Sequence, residues 1–196
     1  MLTLLLLAAV LVAGYFVPRL EIGSNPQPVG GSTSTAPTQG CPSARVLPSD
    51  SLRAAEEATL CLLNANRRKH RLAPLRPNTA LHRAALRHSQ DMVRRDFFSH
   101  VNPDGQDSAA RITETGYAIG AGGGATGENL AFGEESESAP AAIVDSWMHS
   151  PGHRRNILRP AFREIGIGIV AEPVRRSRPE SRGATYTTTF GVRGLR

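Results

Sequence analysis

Three ionisable residues of this sequence are candidates for a functional site: His100, Glu128 and His153. Each stands at a predicted turn or element end, beside apolar residues that would anchor it. Two imidazoles and one carboxylate can hold a divalent metal such as zinc and leave positions open for water. The same groups can instead act as a base and acid pair, or simply tie three chain segments together by hydrogen bonds. Taken alone, the residues leave these three interpretations open.

Other catalytic patterns are weaker. His149 and His153 have the i, i+4 spacing of zinc-binding helices, but Pro151-Gly152 lies between them. A helix break at that dipeptide would remove the shared face. Ser99 and Ser150 supply hydroxyl groups, but without the G-x-S-x-G elbow of many hydrolases. A Ser-His-Glu triad stays open, because such triads are set by geometry and not by chain order.

The elements that would position these residues are visible in the hydrophobic pattern. Helical spacing predicts helices over residues 51–69, 78–96 and 107–116, a further helix from Pro140 to a break at 150–152, and a short one over 154–158. The predicted N-caps are Asp50 or Ser51 for the first helix, Asn78 for the second and Ser138 for the one that begins near Pro140. Ile165 to Ile169 alternates with glycine, which predicts a strand with one apolar face, and 184–192 alternates with threonine, which predicts a second strand antiparallel to the first. Helices flanking a small, mainly antiparallel sheet give an α+β sandwich.

The surroundings of the candidates differ. His100 is predicted between the aromatic pair 97–98 and a tight turn at 101–105. Glu128 stands beside Leu, Ala and Phe and is predicted to be partly buried, so it needs a partner or it protonates. His88 lies on the apolar face of the second helix and is predicted to be a core histidine and not a ligand.

The first part of the chain predicts export. Leu2 to Val17 is an almost unbroken apolar run, shorter than a comfortable membrane span of about 20 residues. Residues 1–20 are therefore predicted to be a signal peptide or an N-terminal membrane anchor, 21–40 a disordered linker, and 41–196 one domain. Cys41 and Cys61 are predicted to form a disulfide, which suits export and would stabilise the fold by about 3 kcal/mol.

Charge and composition limit the choice of partner. The formal net charge is +6, and of the 23 basic residues only Lys69 is a lysine. No nucleic-acid partner is expected, because aromatic residues make up only 5% of the chain and no reading motif is present. An acidic envelope surface is the better functional partner for the basic residues, and solvated faces are the simpler interpretation. Contact with the membrane is expected only through the N-terminal segment.

Three motifs together resemble a known family. FFSHVNPDG, GENLAFG and DSWMHSPGHRRNIL, the last followed by FREIGIGIV, are similar in order and spacing to the bacterial branch of the CAP superfamily. These are SCP-like extracellular proteins related to cysteine-rich secretory proteins, antigen 5 and pathogenesis-related 1 proteins. The resemblance covers about residues 60–192. It implies a three-layer α-β-α sandwich and a cleft that includes His100, Glu128 and His153.

One position departs from the family pattern. Many eukaryotic members carry a second cleft glutamate three residues after the tryptophan, where this chain has Ser150 after Trp147. Glu164 does not fit the missing position. A full set of two histidines and two glutamates is therefore absent, which weakens a metal or catalytic role carried over from those members.

The resulting hypothesis is an exported, non-catalytic CAP domain, either secreted or anchored to the outer face of the cytoplasmic membrane. Its His/Glu cleft would bind a small molecule, a lipid, an envelope component or a divalent metal, with zinc as the first candidate. The alternative is a peptidase-like hydrolase in which the same residues act with or without a metal. A purely structural role for the three residues is the third possibility.

Overall fold

The computed structural model of this chain describes residues 40–118 and 124–194. The predictions of a signal or anchor and of a linker fall almost entirely on residues 1–39 and lie outside the described part. None of the helices in the described ranges is long and apolar enough to cross a membrane.

Five helices and a four-stranded sheet make up the described part. The helices are α1 (Leu52–Lys69), α2 (Thr79–Arg94), α3 (Ser108–Glu114), α4 (Pro140–His149) and α5 (Pro151–Ile157), and a 3₁₀ turn covers Glu135–Ser138. The strands are β1 (Arg76–Pro77), β2 (Ala125–Glu134), β3 (Glu164–Val170) and β4 (Gly183–Val192). The sheet order is β1-β3-β4-β2, and only the short β1–β3 pair is parallel.

The layers follow from which faces are apolar. Helix α2 packs against β3 and β4, while α1 and α4 pack together and α1 reaches β3. The main core joins α1, α4 and the isoleucines of β3, and a smaller cluster joins α2 to α3. The predicted α-β-α sandwich with a small, mainly antiparallel sheet is confirmed.

Capping residues set the starts of three helices, and two of these caps, Ser51 and Asn78, are predicted from the sequence. Ser51 accepts a hydrogen bond from the Ala54 amide at 3.2 Å, and Asn78 caps α2 through the amides of its first turn. Asp107 caps α3 by accepting from the Ala110 amide at 2.8 Å. Each cap satisfies an amide that has no partner within its own helix.

Three local predictions are wrong. The predicted helix break at 150–152 is confined to Ser150, and α5 begins at Pro151 instead of residue 154. Proline is well tolerated at the first position of a helix. Ala139, and not Ser138, stands at the N-cap of α4. Strand β3 is buried on both faces, because α2 lies directly on its glycines: a Cβ on Gly166 would come within 2.0 Å of the Leu81 carbonyl carbon.

A disulfide bond and a buried hydrogen bond stabilise the core. Cys41 and Cys61 form the predicted disulfide, which joins the start of the described chain to α1. Trp147 is fully buried in α4, and its Nε1 donates to the Leu130 carbonyl of β2 at 2.9 Å. Both links act near the elements that carry the candidate site residues.

Candidate functional cleft

Glu128 on β2 is paired with an arginine that the sequence did not single out. Its side chain is 2% exposed. Arg111 of α3 approaches both carboxylate oxygens with Nη2, at 3.0 and 2.9 Å. The same guanidinium donates to the carbonyls of His100 (3.0 Å) and Gln106 (2.8 Å). Arg111 therefore neutralises the buried carboxylate and also holds the loop that carries His100.

His100 joins this pair from the solvent side. Its Nδ1 lies 2.9 Å from Glu128 Oε1, while its side chain is 55% exposed. Because a carboxylate only accepts, Nδ1 carries the proton and donates. In the described part of the chain, Nε2 has no hydrogen-bond partner. His100 thus presents a free ring nitrogen to solvent, oriented by Glu128.

His88 sits beneath the same loop. It is fully buried, as predicted, and its Nε2 donates to the Ser99 carbonyl at 2.9 Å. Its Nδ1 is buried without a partner in the described structure. Burial lowers the pKa of His88, because a second proton would have no acceptor and no water. The side chain that looked purely structural also positions the residue before His100.

The predicted tight turn after His100 is present. Asn102 Oδ1 accepts from the amides of Asp104 (3.1 Å) and Gln106 (2.9 Å), and Gly105 takes a φ of +81°. Arg95, which directly follows α2, closes the turn with two hydrogen bonds to Asp104. The loop bearing His100 is therefore tied to α2 at one end and to α3 at the other.

His153 reaches the cleft from the first turn of α5. The residue is half-buried, and its ring centroid lies 6.5 Å from that of Trp147. Burial lowers the pKa of His153, and the positive charge of nearby His100 lowers it further by a smaller amount. His153 is therefore neutral near pH 7. The structure thus joins His100 to Glu128 directly and places His153 close enough to His100 for their charges to interact.

Two asparagines hold α5 against β2. Asn129 donates to the His153 carbonyl at 3.1 Å, and Asn156 donates to the Glu128 carbonyl (3.0 Å) and to Asn129 Oδ1 (2.9 Å). Gly127 permits this approach, since a Cβ there would lie 3.1 Å from both Asn156 Oδ1 and the Phe162 ring. These contacts explain why Gly, Glu and Asn stand in succession in the GENLAFG motif.

A three-ligand metal site does not fit this arrangement. Both oxygens of Glu128 face the Arg111 guanidinium, whose positive charge repels a second cation. No three His, Cys, Asp or Glu side chains in residues 40–118 and 124–194 are grouped to hold a metal ion. The predicted zinc site would depend on His100 and His153 alone, so the chemistry below is derived without a metal.

A Ser-His-Glu triad is also not formed. The Ser99 hydroxyl accepts from the Val101 amide at 3.2 Å. Within the described ranges, no serine hydroxyl is hydrogen-bonded to His100 or His153. Ser150 lies at the junction of α4 and α5, and its hydroxyl makes no hydrogen bond to either histidine within the described residues.

An exposed aromatic pair lies on the chain segments that carry the polar residues. Phe98 and Phe132 meet edge to face with ring centroids 5.0 Å apart, and they are 37% and 36% exposed. Phe98 is two residues before His100, and Phe132 shares β2 with Glu128. The same loop and strand therefore present both an ion pair with a histidine and an exposed apolar surface.

Comparison with known proteins agrees with this architecture. YkwD of Bacillus subtilis strain 168 is 36% identical over 120 residues, which cover 61% of this chain and 44% of that protein. An extracellular SCP-domain protein from Bacillus anthracis superposes with a TM-score of 0.56 at 24% identity, covering 72% of this chain and 43% of the other. An outer surface protein from Borrelia burgdorferi gives 0.58 at 19% identity, covering 71% and 92%.

The chain spans less than half of the length of the two Bacillus proteins. The family match covers more of this chain: residues 60–188, from within α1 to within β4, match the cysteine-rich secretory protein (CAP) family. That range contains His100, Arg111, Glu128 and His153. This chain belongs to the CAP family.

Proposed function

We propose that this CAP domain is an exported, non-catalytic binding module that works outside the cell or at the cell envelope. Its cleft, formed by His100, Arg111, Glu128 and His153, takes the polar group of an amphipathic ligand. The apolar part of that ligand lies on Phe98 and Phe132. The observation that carries the proposal is the exposed His100 ring held by the buried Glu128–Arg111 pair.

The polar half of the cleft is suited to hydrogen bonding. The proton on His100 Nδ1 is committed to Glu128, which leaves the exposed Nε2 for a ligand. His153 stays neutral at pH 7 because burial lowers its pKa. The ring of His153 therefore offers a hydroxyl or a polar headgroup both a donor and an acceptor, and His100 Nε2 adds a second hydrogen-bonding position.

The apolar half is defined by exposure. In the described part of the chain, four large hydrophobic side chains are exposed: Leu52, Phe98, Val101 and Phe132. Three of these four belong to the His100 loop or to the strand of Glu128. Exposed apolar groups gathered at a polar cleft are typical of ligand sites.

Export is supported by three observations. The disulfide between Cys41 and Cys61 suits an oxidising compartment, and the sequence carries an apolar run at residues 2–17. The structural relatives are described as an extracellular and an outer surface protein. Intact-mass analysis of cell and medium fractions tests this proposal, and a reduced, cytoplasmic protein would contradict it.

The single tryptophan of the chain makes a direct binding assay possible. Trp147 lies beside His153, so ligand contact should alter its fluorescence. We would titrate the full chain with palmitate, lysophosphatidylglycerol and a sterol. At least one of these probes should bind saturably, and His100→Ala should weaken that binding about tenfold, the loss of roughly one hydrogen bond.

The apolar half needs its own control. The double change Phe98→Ser and Phe132→Ser should weaken the same probe by at least about tenfold. Leu52→Ser removes an equally exposed apolar side chain from α1 and should leave the affinity unchanged. Equal losses in both variants, or no response of the wild type to any probe, would refute an amphipathic ligand.

One observation favours the hydrolase alternative. The hydrogen bond between His100 Nδ1 and Glu128 orients the imidazole as in a His-carboxylate base. Against this, Arg111 already neutralises the carboxylate that would stabilise the imidazolium. We expect no turnover of peptide or ester substrates, with or without added zinc chloride. Turnover that His100→Gln abolishes would establish the enzyme instead.

A further inference from the structure

We infer a second binding surface, separate from the cleft, that takes a linear polymer of phosphate groups. It consists of exposed basic residues on the last turn of α1, just after it, and on and just after α5: Arg68, Lys69, Arg71, Arg154, Arg155 and Arg159. We call these six side chains the basic face. Its ligand and the ligand of the cleft are independent proposals.

The charges of the basic face are not neutralised within the protein. Among the described residues, none of the six takes part in a salt bridge, whereas Arg95, Arg111 and Arg182 all do. Asp145 of α4 lies 3.4 Å from His149, which lines the groove beside α5, and is paired with none of the six basic residues. A cluster of like charges without counter-charges creates a positive potential that attracts anions.

A buried arginine adds to this potential from below. Arg67 is fully buried and donates to four carbonyl oxygens, those of Ala73 (2.8 Å), Ile157 (2.7 Å), Arg159 (3.1 Å) and Phe162 (3.0 Å). Burial lowers its pKa, with the nearby Arg163 charge adding to the effect, but an arginine stays protonated in proteins. Carbonyls satisfy its hydrogen bonds without cancelling its charge.

The contacts of Arg67 also fix the shape of the face. They join the end of α1 to the end of α5 and to the segment that leads into β3. A second link runs from Arg154 Nη2 to His70 Nε2 at 3.1 Å, while His70 Nδ1 lies 2.9 Å from the Asn66 carbonyl. Because arginine donates, His70 accepts at Nε2. The two halves of the basic face are therefore held together.

The shape favours a chain-like ligand. A groove of about 690 Å³ follows α5 and is lined by Met148, Arg154, Arg155, Leu158, Arg159 and Pro160, among others. None of the four exposed large hydrophobics of the described structure lies in this groove, so insertion into a bilayer has no apolar anchor here. Guanidinium groups pair with two oxygens of a phosphate at once. A flexible polyphosphate chain matches both the concave form and the charge.

The test uses inorganic polyphosphate and the full chain, with binding followed by calorimetry at several salt concentrations. The wild type should bind, and its affinity should fall steeply with salt. The triple variant Arg154→Gln, Arg155→Gln, Arg159→Gln should bind at least about tenfold more weakly at 50 mM salt. The matched control Arg45→Gln, Arg87→Gln, Arg175→Gln removes the same charge from exposed arginines elsewhere and should lose less than about threefold.

Several outcomes would overturn the inference. Equal losses in the two triple variants would mean that net charge alone attracts the polymer. Equal affinity for polyglutamate, or preference for phosphatidylglycerol vesicles, would assign the face to a carboxylate polymer or to a membrane. Circular dichroism checks folding; if the triple variant is unfolded, Arg155→Gln alone should still weaken binding about two- to fourfold. Palmitate, lysophosphatidylglycerol and sterol binding at the cleft should not change.

Discussion

Two arginines are buried within the described residues, and their surroundings are opposite. Arg111 is 7% exposed and faces both oxygens of Glu128, while Arg67 is 0% exposed and faces only carbonyl oxygens. The first charge is cancelled by its partner, and the second is not. The same side chain therefore produces a nearly neutral cleft in one region and supports a basic surface in the other. The charge of the neighbouring acceptor groups, and not the degree of burial, decides whether the charge of the arginine is cancelled.

The largest expected effect on stability comes from replacing Arg67, whose charge has no acidic partner. Arg67→Met should lower the free energy of unfolding by about 4 kcal/mol, because four carbonyls lose their donor and the link between α1 and α5 is broken. Urea denaturation measures the change. Arg68→Met, on the same helix but exposed, is the control and should cost less than about 0.5 kcal/mol. A small effect at Arg67 would mean that water replaces the guanidinium.

Removing the paired arginine should cost slightly less and should be partly reversed by a second change. Arg111→Met leaves the buried Glu128 carboxylate without its cation, which costs about 3 kcal/mol near neutrality. Adding Glu128→Gln removes the uncompensated negative charge, so the double variant should recover part of this loss in urea denaturation. The loss in Arg67→Met has no such remedy, because its partners are uncharged carbonyls. A double variant as unstable as the sum of its two single changes would contradict the comparison.

A smaller effect should come from His88, which lies close to the paired arginine. Burial lowers its pKa in the folded protein, while the unfolded chain protonates near about 6.5. Its stabilising contribution is therefore complete above about pH 6.5 and is lost as the pH falls from there towards the lowered folded pKa. His88→Asn should flatten the stability profile in that window. The pKa of His153 is lowered too, so the wild type keeps a pH dependence of its own. The test is therefore the difference in free energy of unfolding between the variant and the wild type at each pH.

The smallest effect should appear on the basic face. Arg155 is exposed and has no salt-bridge partner within the described residues, so Arg155→Gln should change the free energy of unfolding by less than about 0.5 kcal/mol. The sign should favour the variant, because like-charge repulsion is relieved. Thermal melts at low and high salt measure this. A loss above about 1 kcal/mol would show that the face serves folding and not binding.

Much of the fold was predictable because its signals are local. Helical and strand periodicities, the caps at Ser51 and Asn78 and the turn around Gly105 are written into short windows of sequence. The error at Pro151 arose from the same local rules, since proline both breaks a helix and begins one well. Nothing in the sequence decided between these two roles at that position.

The site was predictable only in part. His100, Glu128 and His153 stood out by type and position, and the structure joins His100 to Glu128 with His153 near His100. Arg111 was missed because its partner is 17 residues away on another element, which no periodicity reports. One signal could have found it: a buried carboxylate needs a cation, and Arg111 is the one basic residue of the predicted third helix. The buried role of Arg67 could not be predicted, because the sequence shows it only as one of three basic residues at the end of a helix.

The disulfide has a mechanical consequence for a protein held by its N-terminal segment. Cys41 is covalently joined to Cys61 on α1. A pulling force on the chain ahead of residue 41 would pass through the sulfur bridge directly into the helix. Residues 42–60 would carry no tension, and the first helical turns could not be peeled away. Unfolding of the domain under such a force would then begin with the loss of its core packing and not with the start of α1.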